Sequence, residues 1–459
     1  MIEQDNIPVA PARGSFSGIR PVSSLSGMRP ARGIAEHQQQ QLKSAVHKEL
    51  IKRLDLERLG NMTEDRAKQQ QLFVLIQQLV TEQGIPLSSP ERDRISQEVL
   101  DEVFGFGPLE PLLNDSTVSD ILVNTYSRVY VERRGVLELT NVTFKDNKHL
   151  MQIIDKIVSG VGRRVDESSP LCDARLPDGS RVNVVIPPLA VDGPILSIRK
   201  FGTKPLTADD LLRLGAMTAP MLEVLQAAVK ARLNIVVSGG TGSGKTTLLN
   251  VLSGYISPLE RIVTIEDSAE LQVKQEHVVR LETRPPNVEG NGAVKQRELV
   301  INALRMRPDR IILGEVRGEE TLDMLQAMNT GHDGSLTTIH SNTPRDAIAR
   351  METMAMMGSV RLPEKAIRSQ IASAVHLIVQ AARMADGSRR ITHITELTGA
   401  FSEVISMNDI FLFEKKGLGP NGKVRGRFFA TGIMPRFAEK LTAAGYPLPH
   451  TLLEHSQEV

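Results

Sequence analysis

The chain has a single cysteine, Cys172, and no tryptophan. One thiol excludes an internal disulfide and any cysteine-rich zinc ribbon, and Cys172 reads as a buried or incidental group. Aromatic residues make up only 3% of the chain, which argues against a stacking platform for single-stranded nucleic acid. Formal net charge is +1, so no global field draws the chain toward DNA, RNA or acidic lipid. No apolar stretch approaches the ~18 residues of a membrane span, and no signal peptide opens the sequence. The expectation is a soluble, cytoplasmic protein that meets a membrane only through partners.

The 459 residues suffice for two or three domains, and 41% hydrophobic content is ordinary for globular protein. Residues 1–35 are rich in Pro, Gly, Ser and Arg without apolar period, and read as a disordered arm carrying Arg13, Arg20, Arg29 and Arg32. Residues 36–104 turn helical. Leu42, Val46, Leu50 and Leu54 share one face, Leu72, Leu75, Ile76, Leu79 and Val80 a second, and Ile95, Val99 and Val103 a third. Three such helices make a small bundle. Residues 105–202 read as α+β, with strands in "SDILVN", "RVYVERRG", "SRVNVVIPP" and "ILSIRKF" and a helix over His149–Val161. A linker is expected over 203–212. From 213 to 459 strand–loop–helix units repeat, which specifies a largely parallel sheet covered by helices, an α/β fold.

The strongest signal is Gly239-Gly240-Thr241-Gly242-Ser243-Gly244-Lys245-Thr246, the pattern G-x-x-x-x-G-K-[ST]. Average composition produces it by chance on the order of 0.02 times in such a chain. "NIVVS" before it reads as a buried strand and "TTLLNVLSGY" after it as a helix. That order suits phosphate chemistry: glycines let backbone N–H groups curl around phosphate oxygens, and the helix N-terminus adds its positive end. Gly240 to Thr247 are the candidate nucleotide-binding residues. Lys245 would reach the β/γ-phosphates, and Thr246 would ligate Mg²⁺.

Three further strands end in polar residues. "RIVTI" leads to Glu266-Asp267, "RIIL" to Gly314-Glu315, and "SLTTI" to His340. Carboxyl ends of parallel strands line one edge, so these groups and Lys245 can converge on one triphosphate. Glu266 is the candidate that orients attacking water, Glu315 takes the Mg²⁺ position, and His340 senses the γ-phosphate. The division of labour between the two glutamates stays open, because Glu stands where P-loop proteins often have Asp.

"GGTGSGKTT", "TIEDSAEL", "NALRMRPDRIILGEVRG" and "TGHDGSLTTIHSN" resemble the Walker A, Asp, Walker B and His boxes of secretion-type ATPases. "DARLPDGSRVN", "LETRPPN", "IRSQIASAVHLIV" and "GSRRITHITEL" extend the resemblance to the CpaF branch, the tight-adherence (Tad/Flp) pilus assembly ATPases. It runs from roughly Glu91 to the C-terminus. The resemblance implies a C-terminal RecA-like domain behind a PAS-like domain, six copies in a ring, and nucleotide between the two domains capped by arginines. Arg181 and Arg199 are the leading arginine-finger candidates, with Arg175 behind them. His332 matches the His box and either positions the site or packs; Arg317 bridges to a neighbouring phosphate or carboxylate or forms an ion pair within the domain. The four-cysteine zinc module of related pilus-extension motors cannot be built here.

The function expected is thus an ATP-hydrolysing motor that assembles, and possibly retracts, a pilus by acting on inner-membrane platform proteins, without direct nucleic-acid contact. The alternatives are a type IV secretion or DNA-transfer motor of similar mechanism, and a nucleotide-gated scaffold that binds ATP without turnover.

Overall fold

The structure is a computed structural model that describes residues 32–53, 66–133, 135–201, 205–286, 291–358, 362–401 and 404–459. The expected arm lies outside the described residues as far as position 31, and the first helix already begins at Arg32. The described residues up to Gly107 form one compact unit and those from Pro108 to Val459 another.

In the first unit α1 spans Arg32–Arg53, α2 Arg66–Glu82 and α3 Ser89–Phe104. Leu42, Val46, Leu50, Ile76, Leu79, Val80, Ile95 and Val99 form its core. These are the apolar stripes the helical period marked; Leu54 lies outside the described residues. At the start of α3 the Ser88 N–H donates to Glu91 Oε2 at 2.9 Å as part of a capping box.

The second unit holds two sheets. The first comprises β1 (Val118–Thr125), β2 (Arg128–Arg133), β3 (Val136–Leu139), β4 (Leu171–Arg175), β5 (Arg181–Val185) and β6 (Ile195–Arg199), antiparallel in the order β3-β2-β1-β6-β5-β4. A short helix α4 (Glu110–Asn114) precedes it, and α5 (Asn147–Gly160) buries Leu150, Ile153, Ile154, Ile157 and Val158 along one face. Cys172 is buried in β4.

The second sheet follows α6 (Ala208–Arg213), which occupies the end of the expected linker, and α7 (Ala219–Lys230). Its elements are β7 (Ile235–Gly239), α8 (Lys245–Ser253), β8 (Ile262–Glu266), β9 (Val278–Glu282), α9 (Gln296–Ala303), β10 (Arg310–Val316), α10 (Glu320–Asn329), β11 (Leu336–Ile339), α11 (Pro344–Met356) and α12 (Glu364–Ala374). They continue with β12 (Leu377–Arg383), β13 (Arg389–Phe401), β14 (Val404–Leu418), β15 (Val424–Ala430), α13 (Ala438–Ala443) and β16 (Ser456–Glu458). The order is β16-β15-β14-β13-β12-β7-β11-β10-β8-β9. Ile235 and Val237 face a core shared with α7 and α8, whereas Val236 faces one shared with α9 to α12. Burial on both sides explains the unbroken apolar runs.

The parallel expectation holds from β9 to β12 and fails beyond it. β13 to β16 add an antiparallel flank, so the sheet is mixed. The physical reason is the connection: only Met384–Ser388 separates β12 from β13, too short for a crossover helix.

At the amino ends of the parallel strands lies a buried polar network. Arg310 is fully buried, donates through Nε and Nη2 to Glu260, through Nη1 to Gly334 O at 3.0 Å, and through Nη2 to Val229 O at 3.0 Å. Asn234 Oδ1 accepts from Gly334 N at 2.7 Å and Ser335 N at 3.1 Å. Gly334 has φ +84°, and a Cβ there would stand 1.8 Å from Arg310 Nη1. Gly334→Ala is therefore expected to cost about 2–5 kcal/mol, by left-handed strain and displacement of a buried cation. A melt followed by far-UV circular dichroism checks this; an unchanged midpoint would mean the guanidinium is not held against that backbone.

Candidate functional site

The P-loop connects β7 to α8. Gly242 and Gly244 have φ of +68° and +97°, left-handed conformations that suit glycine. A Cβ on Gly239 would sit 2.4 Å from both Ala381 O and Ser243 Oγ, so close approach also requires glycine there. Ser243 Oγ and Lys245 Nζ donate to Gly240 O at 2.9 and 3.1 Å, which closes the loop on itself. Burial holds the Lys245 ammonium below its usual range, against the opposing pull of Glu315.

Parallel pairing puts the other predicted groups on the same edge. β7 pairs with β11, β11 with β10 and β10 with β8, so the P-loop, His340, Glu315 and Glu266 follow one another across four neighbouring strands. His340 comes directly after β11 and is half-buried. The turn behind it is pinned by Gln380, whose Nε2 donates to Ser341 O at 3.2 Å and Asn342 O at 3.1 Å. Glu315 stands inside β10 rather than after its end, at a register irregularity between Leu313 and Val316 against β11. Such a bulge re-aims one side chain, and sequence alone gave no sign of it.

Arg317, just after β10, binds two carboxylates, Glu315 and Asp267. Its Nε and Nη2 donate to Glu315 Oε2 at 2.9 and 2.6 Å, and its Nη1 to Asp267 Oδ2 at 3.1 Å. These contacts are an ion pair within the chain. Among the described residues no cluster of three or more His, Cys, Asp or Glu side chains could hold a metal. The hard oxygens of Thr246 and Glu315 nevertheless fit magnesium, which takes most of its ligands from phosphate and water.

Glu266 is 4% exposed. Its Oε1 accepts from Glu270 N and Leu271 N, both at 2.9 Å, while Oε2 is buried without a partner. Burial pushes its carboxyl up to about 7, opposed by those two N–H groups and by Arg280. Gly314 lies alongside, where a Cβ would meet Glu266 Cγ at 3.0 Å.

Arg181 and Arg199 line a cavity of about 270 Å³ together with Thr246, Thr247, Asn250 and Gln272. The first sheet thus brings two cations to the start of α8. Arg181 Nη1 donates to Glu270 Oε1 at 3.0 Å and Arg199 Nε to Asp120 Oδ1 at 3.0 Å. Arg175 is absent from that lining, and each of its three nitrogens already donates within the chain. His332 precedes β11, at the opposite end of that strand from His340, and so stands away from the P-loop edge. Sequence reasoning missed Arg389, whose Nε donates to Gly242 O at 2.9 Å from the β12–β13 hairpin. Its only signal was membership of "GSRRITHITEL".

The family described as "Type II/IV secretion system protein" matches residues 102–417. A Mycobacterium tuberculosis (strain H37Rv) protein named for conjugal transfer is 40% identical over 311 residues, 66% of this chain and 87% of that protein. The conjugal transfer protein TrbB of Rhizobium radiobacter is 36% identical over 293 residues, 62% of this chain and 86% of its own length. Among solved structures, the VirB11 ATPase of the Brucella suis type IV secretion system is 28% identical, covering 64% of this chain and 97% of its own, with a TM-score of 0.34.

The raised Glu266 carboxyl has a consequence for stability. Its value near 7 exceeds the ordinary 4.5, so folding favours the protonated form, and that contribution is lost as pH rises through about 7. Glu266→Gln, which stays neutral, is expected to be more stable than the parent at pH 8, by about 3 kcal/mol at most. The difference should shrink toward pH 5. Thermal melts of both proteins across that range test the sign, and a parent that gains stability above pH 7 would refute it.

Proposed function

We propose, from the premise that this chain belongs to the type II/IV secretion system protein family, that it hydrolyses ATP to drive a membrane-bound secretion or pilus machine. The observation that carries this is the shared edge: the P-loop, His340, Glu315 and Glu266 at the carboxyl side of four adjacent strands, with Arg181 and Arg199 lining a cavity at the start of α8.

In this proposal the N–H groups of Gly240 to Thr247 and the N-terminus of α8 cradle the phosphates, and Lys245 neutralises the β- and γ-oxygens. Thr246 and Glu315 would hold magnesium, which when bound would supply positive charge that stabilises the phosphate oxygens. Glu266 orients the attacking water with its buried, unpartnered Oε2, and only its ionised form can accept the water's proton. His340 donates to the γ-phosphate. Arg181 and Arg199 stabilise charge on the transferring group, a role worth about 10³–10⁵ in rate for an arginine finger.

The finer assignment is the Tad/Flp pilus assembly motor: a ring of six copies with RecA-like and PAS-like halves, acting on inner-membrane platform proteins from the cytoplasmic side. It rests on the boxes quoted above, on one cysteine, and on the lack, among the described residues, of any helix long and apolar enough to cross a membrane. A conjugal or type IV secretion motor is the second reading, favoured by the names of the two relatives. The net charge of +1 counts against direct DNA handling in either case.

Purified protein should turn over ATP, and Lys245→Ala should lower the rate by about 10³-fold or more. Full turnover in that variant would remove the phosphate-binding role. Turnover should rise with pH through about 7, following ionisation of Glu266. A gene deletion complemented with parent or Lys245→Ala separates the machines. Loss of surface fibres supports the pilus assignment, and loss of plasmid transfer with fibres intact supports the second.

A further inference from the structure

The segment after β8, Asp267–Gln272, has no regular secondary structure, yet its backbone supplies both hydrogen bonds to Glu266. Both sheets hold it, for Arg175 and Arg181 reach it from the first sheet while Glu282, Arg280, Asn250, Thr283 and Arg317 bind it from its own. Arg175, at the end of β4, donates through Nη2 to Ala269 O at 2.6 Å and through Nη1 to Glu282 on β9. The same Glu282 Oε2 accepts from Ala269 N at 3.1 Å, so both backbone groups of Ala269 are caught by one ion pair. Arg280 Nη2 adds a weaker bond to Ala269 O at 3.3 Å. Arg175 Nε is anchored in turn to Gly179 O, in the β4–β5 turn of its own sheet. The next two residues, Glu270 and Leu271, are the ones whose N–H groups grip Glu266.

An arginine that meets a phosphate needs a free guanidinium edge, and Arg175 presents its nitrogens to Ala269, Glu282 and Gly179 instead. We propose that Arg175 is a positioning residue for Glu266: it fixes the Asp267–Leu271 segment so that the Glu270 and Leu271 N–H groups hold that carboxylate, and displacement of the first sheet is thereby transmitted to the water-orienting group. This role rests on the ATPase assignment for its catalytic consequence, but not for its geometry. Arg181 supports the same segment through Glu270. The charged groups that act on Glu266 are Arg280 on β9 and Glu270 on the segment; those that touch the segment beside it are Glu282 on β9, Arg175 and Arg181 from the first sheet, and Arg317, which follows β10 and binds Asp267.

Hydrogen exchange of the full, nucleotide-free chain tests the geometry without any turnover. In Arg175→Ala the peptide covering 267–272 should exchange about tenfold faster while the core of β8 stays protected. Arg175→Lys should restore part of that protection, because an ammonium reaches one partner but not both. Glu282→Gln, which keeps the shape and weakens the ion pair, gives an intermediate result and serves if Arg175→Ala does not fold. In the ATPase assay kcat should fall about tenfold with KM for ATP nearly unchanged, and the rising limb should move above pH 7, because the two lost N–H bonds favour the ionised carboxylate. Unaltered exchange in both Arg175→Ala and Glu282→Gln overturns the proposal, as does faster exchange with unaltered kcat and pH limb. Absence of turnover in the parent would instead defeat the ATPase assignment and leave the exchange result to decide the positioning role.

Discussion

Parallel hydrogen bonding among β7, β11, β10 and β8 is the constraint on which the candidate site depends. Parallel strands end at a common edge, so residues about a hundred positions apart become neighbours without any contact encoded between them locally. The cost is that each connection must cross the sheet, which is why helices cover both faces and the strands are apolar on both sides. The network of Arg310, Glu260, Asn234 and Gly334 secures the amino ends of the same strands, and so leaves the carboxyl ends free to carry chemistry.

At that carboxyl edge charge is balanced rather than simply accumulated. Arg317 pairs with Glu315 and Asp267, the charge of Glu315 partly offsets the burial that lowers Lys245, and Glu266 is kept in a nearly dry position beside Gly314 and the Asp267–Leu271 segment. Burial without a full set of partners is unfavourable for a carboxylate, and that strain in solvation lifts the group toward neutral pH. A group poised there changes protonation with small displacements of its donors. The antiparallel sheet supplies those displacements a lever, because Arg175 and Arg181 join it to the donors directly.

The site residues differ in how visible they were. The P-loop stands in one stretch of chain, and its glycines, lysine and threonine announce phosphate binding by spacing alone. Glu266, Glu315 and His340 were legible as polar residues at the ends of apolar runs, once the parallel alternation was recognised. Gln380 and Arg389 were not, because their partners Ser341 and Gly242 lie 39 and 147 positions away. His332 and His340 share one box, yet four strand residues separate them and place them at opposite ends of β11.

Sequence by itself determined the local elements and the phosphate loop: helical stripes such as Leu42, Val46 and Leu50, the buried run before Gly239, and glycines at positions that need left-handed backbone. These follow from short-range sterics and periodicity, which act between residues close in the chain. Tertiary structure decided the antiparallel flank from β13 to β16, the bulge at Glu315, and the meeting of Arg175 with Ala269 and Glu282. Those outcomes depend on which strand lies beside which and on what a guanidinium meets across a gap between two sheets. Distances of that kind are set by packing of the whole unit, so no window of sequence contains them.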